Sequence, residues 1–240
     1  MVKFDCVIGN PPYQNKSVSI WKPITERLKY HSYNIQFITP RSFVNGASFR
    51  NYPNRIKLIN YKADHHFNVG KKICRWTLCQ HTEETTIVCT NGDVVKVDLN
   101  KYKYLPYRLQ SKIDFEIFKK LYNSSVKFYT RDNMAGSCIT VMGSRHIACN
   151  AFIVTDDAIK DNRIYSKQNY CMKINFNEIT KAEEYIGSDL FKYQFNLYGG
   201  NDSTGGSFLK KFVKWGDDIN FTEEELQHIK KPERTRANIT

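Results

Sequence analysis

The sequence predicts an α/β fold in the first part of the chain, followed by a mixed α+β region. Short apolar segments alternate with segments of helical periodicity up to about residue 80, which is typical of an α/β sheet. Hairpin signals and irregular loops replace that alternation further on. We therefore expect a domain boundary near residue 105, which divides the chain into regions 1–105 and 106–240.

The first strand is predicted at residues 4–9, where the apolar run FDCVIG ends in Gly-Asn-Pro-Pro. Proline cannot continue a central ladder, so we expect the strand to stop there in a stiff loop. A helix is expected next, on apolar residues that recur at helical spacing: Ile20, Trp21, Ile24 and Leu28.

Three further strands and one hairpin are predicted before residue 100. The strands are residues 33–39, which Pro40 closes, a segment from Ile56 to about Ala63, and residues 73–79. The hairpin surrounds Asn91-Gly92, because this dipeptide accepts the positive φ angles of a tight turn.

Two capping patterns predict helices in the rest of the chain. Ser111 and Asp114 resemble a capping box and open an apolar helical face that runs to Tyr122. Thr222 and Glu225 repeat the pattern near the end of the chain.

Composition limits the class of protein. The chain has 240 residues, 41% of them hydrophobic, which excludes the disordered class. It contains no apolar run near the roughly 18 residues of a membrane helix and no signal-peptide pattern, so we expect a cytoplasmic protein without membrane contact. The net charge of +12 favours an anionic partner, with nucleic acid first.

The seven cysteines predict reduced thiols, since their number is odd and no secretion signal is present. Cys74, Cys79, His81 and Cys89 lie close in sequence, but their gaps are irregular for a zinc site. Buried structural thiols are the better interpretation, and we predict no metal site.

The strongest functional signal is Asn10-Pro11-Pro12-Tyr13, directly after the first strand. Open α/β sheets bind ligands at the carboxyl ends of their strands. The side-chain oxygen of Asn10 and the carbonyl oxygen of Pro11 are two neighbouring acceptors, which suits an amino group with two N–H donors. The Tyr13 ring offers a flat base a stacking surface. A proline-stiffened turn without chemistry is the alternative.

FDCVIGNPPYQ resembles motif IV of the amino-methyltransferases that use S-adenosylmethionine, especially adenine-N6 DNA methyltransferases of restriction–modification systems of the Eco57I and TaqI type. The segments FITPRSFVNG and RIKLINYKADHHFNVGKKICRWTLC are similar to the family's next strands. The resemblance therefore implies a partial Rossmann-like methyltransferase sheet in residues 1–105. Residues 106–240 resemble a target-recognition region through position and composition.

The resemblance also implies a chemistry for DNA methylation. The target adenine is flipped out of the duplex, because N6 is out of reach inside the stack. Asn10 and Pro11 would bind N6, Tyr13 and Phe67 would sandwich the ring, and the methyl group would transfer in line from the sulfonium. The whole Asn10–Tyr13 motif is the implied catalytic set, and Asn10 and Pro12 would border the cofactor.

The sequence departs from the family in the cofactor half. In the family a Gly-rich loop and an acidic residue precede motif IV, whereas nine residues precede Asn10 and no G-x-G occurs among the twelve glycines. The chain could thus be one part of a split enzyme whose partner subunit supplies that half, a shortened product, or a non-catalytic DNA-binding subunit. A glutamine-N5 protein methyltransferase also uses N-P-P-Y, but the long basic tail counts against it. We expect an interface on the early region, because missing strands would leave a sheet edge exposed.

Basic residues concentrate in two stretches, 27–62 and 101–131, where aromatic residues are interleaved. Such mixtures suit phosphate contact and base stacking on double-stranded DNA. In the first stretch we predict DNA contacts by Arg41, Arg50 and Arg55. The lysines of the helix at 111–122 are interpreted as a solvated face.

Overall fold

The computed structural model describes residues 3–15, 18–45, 51–67, 72–123, 129–130, 138–142, 150–154, 170–173, 178–198 and 219–231. The chain divides into two compact units, Met1–Phe115 and Glu116–Thr240. The division follows Phe115, whereas the sequence suggested a boundary near residue 105.

The first unit contains a six-stranded mixed sheet with the order β1-β4-β6-β5-β7-β8, which confirms the α/β expectation. Strands β2 and β3 pair separately as a small hairpin. In chain order the elements are β1 (Phe4–Gly9), β2 (Gln14–Asn15), β3 (Val18–Ser19), α1 (Trp21–Leu28), β4 (Ser32–Pro40), α2 (Ser42–Asn45), β5 (Ile56–Asn60), the 3-10 helix η1 (Tyr61–His66), β6 (Ile73–Leu78), β7 (Thr85–Val88), β8 (Val94–Val97), the 3-10 helix η2 (Leu99–Lys101) and α3 (Lys112–Asn123), which runs across the division.

Four strands of this sheet run in one direction. Strand β1 is parallel to β4, and β5 is parallel to β7. Strand β6 lies between β4 and β5 and is antiparallel to both, so β4 and β5 share a direction. The carboxyl ends of β1, β4, β5 and β7 therefore lie along one side of the sheet, which we call the carboxyl edge.

One face of the sheet is covered by an aromatic core. Trp76 of β6 stacks on Phe43 of α2 with ring centroids 4.5 Å apart, and Trp21 of α1 meets Phe43 edge-on at 5.7 Å. The indole N–H of Trp76 donates to the Thr39 hydroxyl at 2.8 Å, so its polar atom is satisfied inside the core. The three rings fix α1 and α2 on the sheet.

The other face, which we call the open face, exposes apolar side chains. Strand pairing places alternate residues of β1 on it, together with Val94 of β8. Phe4 is 55%, Ile8 73% and Val94 55% exposed. Apolar side chains therefore remain in solvent on both outer strands of the open face.

Local patterns predicted most elements of this unit. The structure confirms the strand at Phe4–Gly9, the helix α1 and the hairpin, in which Gly92 has φ +101°. The third strand is shorter than predicted and ends at Asn60. The side chain of Asn60 accepts from the backbone N–H of Lys62 at 2.8 Å, and this cap turns the chain into η1.

The second unit combines an antiparallel sheet with helices. Its strands have the order β11-β10-β12-β9. Tyr185 packs edge-on against Phe191 at 5.2 Å, and its hydroxyl lies 3.1 Å from Gln194 Oε1. The elements are β9 (Tyr129–Thr130), β10 (Cys138–Met142), β11 (Asn150–Val154), β12 (Tyr170–Lys173), α4 (Ile179–Gly187), α5 (Asp189–Leu197) and α6 (Glu223–Lys230).

Both predicted capping patterns occur at helix starts. At α3 the Asp114 carboxylate accepts from the backbone N–H of Ser111 at 2.9 Å. At α6 the capping box is complete, since Glu225 N–H donates to the Thr222 hydroxyl at 3.2 Å and Thr222 N–H donates to the Glu225 carboxylate at 2.7 Å. Short-range chemistry thus sets both starts.

Candidate functional site

The Asn10–Tyr13 loop lies at the carboxyl edge of the sheet. Its first residue follows Gly9, the last residue of β1, which pairs with Phe37 of β4. Asn10 and Pro12 are exposed, whereas Pro11 is buried and anchors the loop. An amide side chain thus faces solvent at the position where open α/β sheets bind ligands.

Tyr13 is held next to Asn10. Partial burial raises the pKa of its phenol, a side-chain hydrogen bond with Asn10 lowers it, and the charge of the Cys74 thiolate would raise it further. The backbone carbonyl of Tyr13 accepts from Ile20 N–H at 3.3 Å. Tyr13 is therefore a neutral, positioned ring.

Arg41, which follows β4 at the same edge, is 3% exposed. Its guanidinium packs over the Tyr61 ring at 5.1 Å. The prediction that Arg41 contacts DNA is wrong, because this burial turns its donors toward the protein. They reach the carbonyl oxygens of Ile73 (2.9 Å), Tyr61 (2.9 Å) and Tyr107 (3.3 Å) and the Asp64 carboxylate (3.3 Å).

Asp64 completes a cluster around Arg41. Its second carboxylate oxygen accepts from the backbone N–H of Ile73 at 2.7 Å, and Lys72 Nζ lies 2.9 Å from the carboxylate. This Arg41–Asp64 cluster joins the end of β4, the helix η1 and the start of β6. The cluster fixes the backbone at the carboxyl edge. The charges of Arg41 and Asp64 interact within the protein and not with a ligand.

Phe67, the predicted stacking partner of a flipped base, ends η1. It has an extended backbone, its N–H donates to Asp64 O at 3.4 Å, and its side chain is 37% exposed. Because η1 directly follows β5, Phe67 lies at the carboxyl edge. The structure thus brings the Asn10–Tyr13 loop and an exposed aromatic ring to the same side of the sheet.

Arg55 lies at the opposite edge. It directly precedes Ile56, the first residue of β5, and its Nε donates to Cys79 O at 2.9 Å. Arg55 and the Asn10–Tyr13 loop would have to lie on the same side of the sheet to contact one DNA molecule together. The structure instead places them at opposite edges. Arg50, the third predicted contact, lies outside the described residues.

Other cations, which sequence reasoning did not single out, lie at the carboxyl edge. Lys22 is exposed in the first turn of α1, two positions after the residue bonded to Tyr13. Lys62, His65 and His66 are exposed on η1. Lys62 belongs to the basic stretch 27–62, whereas Lys22, His65 and His66 lie beside the ends of predicted elements.

Two cysteines are buried thiols, as predicted. Burial raises the pKa of Cys74 and of Cys89 to about 12. Both remain protonated at neutral pH, so they act as small apolar core residues and not as nucleophiles.

Two predicted neighbours of S-adenosylmethionine are among the described residues. Asn10 and Pro12 border the carboxyl edge, but a nucleoside cofactor also needs a backbone loop that approaches it closely, usually through glycine. Among the described glycines, positive φ occurs at Gly92, within the β7–β8 turn.

Comparison with models of known protein families gives no match, and comparison with curated proteins finds no significant relative. No helix in the parts of the chain that the structure describes is long and apolar enough to cross a membrane. The geometry of the carboxyl edge and the resemblance of the N-P-P-Y segment are the observations that bear on function.

Proposed function

We propose that this chain is part of an adenine-N6 DNA methyltransferase of the restriction–modification type, which uses S-adenosylmethionine. The observation that carries the proposal is the position of N-P-P-Y at the carboxyl end of β1, with Asn10 exposed and bonded to Tyr13. A proline-stiffened turn without chemistry requires neither feature.

Asn10 and Pro11 orient the amino group of the adenine. The amino nitrogen N6 carries two N–H donors, and the Asn10 side-chain oxygen and the Pro11 carbonyl oxygen accept them. Accepting both hydrogens concentrates electron density on N6 and fixes the direction of its lone pair. The hydrogen bond between the Asn10 and Tyr13 side chains holds Asn10 in place.

Tyr13 and Phe67 bind the faces of the flipped base. A purine outside the duplex loses its stacking energy, and an aromatic ring restores about 1–3 kcal/mol of it per base. Phe67 is exposed at the same edge and needs no rearrangement of the core to meet a ligand. Both rings also exclude water from N6.

The arrangement of the strands supports a partial Rossmann-like methyltransferase sheet. The segments similar to the family's strands after motif IV form β4, β5 and β6, adjacent in one sheet. In this proposal the second unit is the target-recognition region, which contacts double-stranded DNA.

The cofactor supplies the methyl group when it is bound. This chain orients the acceptor nitrogen, and Asn10 and Pro12 border the donor. In this proposal a partner subunit supplies further contacts to the cofactor.

A non-catalytic DNA-binding subunit is the second candidate. The observation that favours it is the lack of a G-x-G segment anywhere in the sequence. Such a subunit would bind duplex DNA through the exposed cations of the carboxyl edge and transfer no methyl group.

Methyl transfer separates the candidates. The chain, alone and mixed with the product of its neighbouring gene, is incubated with radiolabelled S-adenosylmethionine and either adenine-containing duplex DNA or a glutamine-containing protein. The proposal predicts label in the DNA. Label in the protein would indicate a glutamine methyltransferase, and DNA binding without transfer would support the non-catalytic candidate.

A further inference from the structure

The open face of the six-stranded sheet has an unusual distribution of apolar residues at β1. Strand β1 directs Phe4, Cys6 and Ile8 to this face, and all three are exposed. The charged Asp5 points to the opposite face, because side chains alternate along a strand. A sheet face that stays in water normally carries the polar residues, while the apolar residues point into the core. The reverse arrangement in β1 is typical of a face that another apolar surface covers.

The apolar surface of the open face continues across the sheet. Strand pairing aligns one row of side chains over five strands: Ile38, Arg75, Asn60, Val88 and Val94. Each of them is at least partly exposed. Since three of the five are apolar, the row surrounds one cation with apolar contact surface.

Arg75 lies within this row without a partner. It is half-buried, and its Nε has no hydrogen-bond acceptor among the described residues. It also belongs to none of the ion pairs between described residues. A guanidinium that is partly removed from water regains strong hydrogen bonds when a carboxylate accepts two parallel N–H groups. Arg75 is therefore placed to receive an acidic group.

The charges on the open face are all positive. The described strand residues that point this way include Arg75 and Lys96, but no aspartate and no glutamate. Lys96 is exposed and, like Arg75, has no ion pair among the described residues. The whole chain carries a net charge of +12. An acidic surface complements this face, whereas a second copy of the chain would add repulsion.

We propose that the open face binds an acidic amphipathic helix of another protein. The apolar stripe of the helix contacts Ile8, Ile38 and Val88, and a carboxylate beside the stripe pairs with Arg75. Helices are the usual cover of such sheets, and a helix of about 18 residues, about 27 Å long, matches the roughly 24 Å width of six strands. Nucleic acid fits less well, because its phosphates offer no apolar surface to β1.

Fluorescence anisotropy of a labelled model peptide tests the proposal on the full chain. The probe is a helical peptide of about 18 residues with leucine along one face and glutamate on the others. We expect saturable binding that weakens as salt is added, because salt screens the attraction between the charges. Two control peptides should bind at least about tenfold more weakly: a twin with lysine in place of glutamate, and a peptide of the same composition without an apolar stripe.

Two substitutions in the chain test the two kinds of contact. Ile8→Asp places a charge under the apolar stripe at an exposed position and should weaken binding of the acidic peptide at least about tenfold. Tyr30→Asp adds the same charge at an exposed residue that follows α1, outside the sheet, and should leave binding nearly unchanged. Arg75→Gln should weaken binding by a similar factor and reduce its salt dependence, and Arg27→Gln on α1 is its matched control.

The assay contains neither S-adenosylmethionine nor DNA, so a negative result leaves the proposed methyl transfer unaffected. A wild type that does not bind the acidic peptide, equal binding of the acidic and lysine peptides, or binding insensitive to Ile8→Asp or to Arg75→Gln would overturn the proposal. Duplex DNA binding that both variants lose, with no binding of the acidic peptide, would instead assign the open face to nucleic acid.

Discussion

Asn10 and Arg41 follow neighbouring parallel strands but have opposite environments. Asn10 is exposed, whereas Arg41 is buried and bonded to three carbonyl oxygens and to Asp64. The sequence around Arg41 is rich in basic and aromatic residues, and this pattern is as compatible with a nucleic-acid surface as with a buried arginine. The burial depends on Asp64, and no local pattern could predict that contact.

Removing Arg41 should destabilise the first unit. Arg41→Ala leaves the Asp64 carboxylate without its buried partner and removes one donor from each of three carbonyl oxygens. We expect a loss of about 3–5 kcal/mol in the free energy of unfolding. Urea unfolding measures it. Arg27→Ala, at an exposed position of α1, should change the free energy by less than about 0.5 kcal/mol. Equal effects of the two changes would contradict the structural role.

Elements set by residues adjacent in sequence could be predicted, whereas features set by contacts between distant residues could not. The Asn91-Gly92 turn and the Thr222–Glu225 box depend on a few adjacent residues, and both were predicted. The end of β5 was misplaced because Asn60 turns the chain with a side-chain cap inside an apolar-looking run. The edge on which Arg55 lies depends on strand direction, which long-range pairing sets.

The start of α6 should make the second unit sensitive to acid. Burial raises the pKa of Glu225, but hydrogen bonds from Lys120 and Thr222 outweigh it and hold that pKa below the ordinary 4.5. A carboxyl whose pKa is depressed by folding stabilises the fold above its unfolded pKa, and this stabilisation disappears as the pH falls through the folded pKa. Stability should therefore decrease as the pH drops below 4.5.

Thermal unfolding across this acidic range checks the role of Glu225. Glu225→Gln should reduce stability near neutral pH and flatten the acid-side decrease. Glu224→Gln, an exposed carboxylate in the same turn, is the control and should retain the wild-type pH profile. Identical profiles for the two variants would show that the capping box does not carry the acid sensitivity.

At the scale of the whole molecule, the basic stretch 27–62 is not one surface. Lys62 lies at the carboxyl edge with Lys22, whereas Arg55 and Lys57 lie where β5 begins, at the opposite edge. Net charge predicted an anionic partner, but the positions of the charges follow from the direction of the strands. Under the proposed function, the carboxyl-edge cations are therefore the better candidates for contact with DNA.

The salt dependence of DNA binding tests this distribution. Each lost phosphate contact lowers the slope of log K against log salt by about 0.9. Lys22→Gln with Lys62→Gln should lower it by about 2 and weaken binding across DNA sequences. Arg27→Gln with Lys57→Gln removes the same charge at exposed positions away from the carboxyl edge and should leave the slope nearly unchanged. A larger change in slope for the Arg27 and Lys57 variant than for the Lys22 and Lys62 variant would place the DNA on the other edge.

Mass spectrometry of duplex DNA decides whether the Asn10–Tyr13 loop presents adenine N6 for methylation, as we propose. The DNA is treated with the chain and its neighbouring gene's product, and the amount of N6-methyladenine is measured. We expect N6-methyladenine with wild type and with Asn54→Ala, an exposed amide at the opposite edge. Asn10→Ala should reduce it at least about a hundredfold while DNA binding is retained. Undiminished N6-methyladenine with Asn10→Ala would contradict the role of this loop.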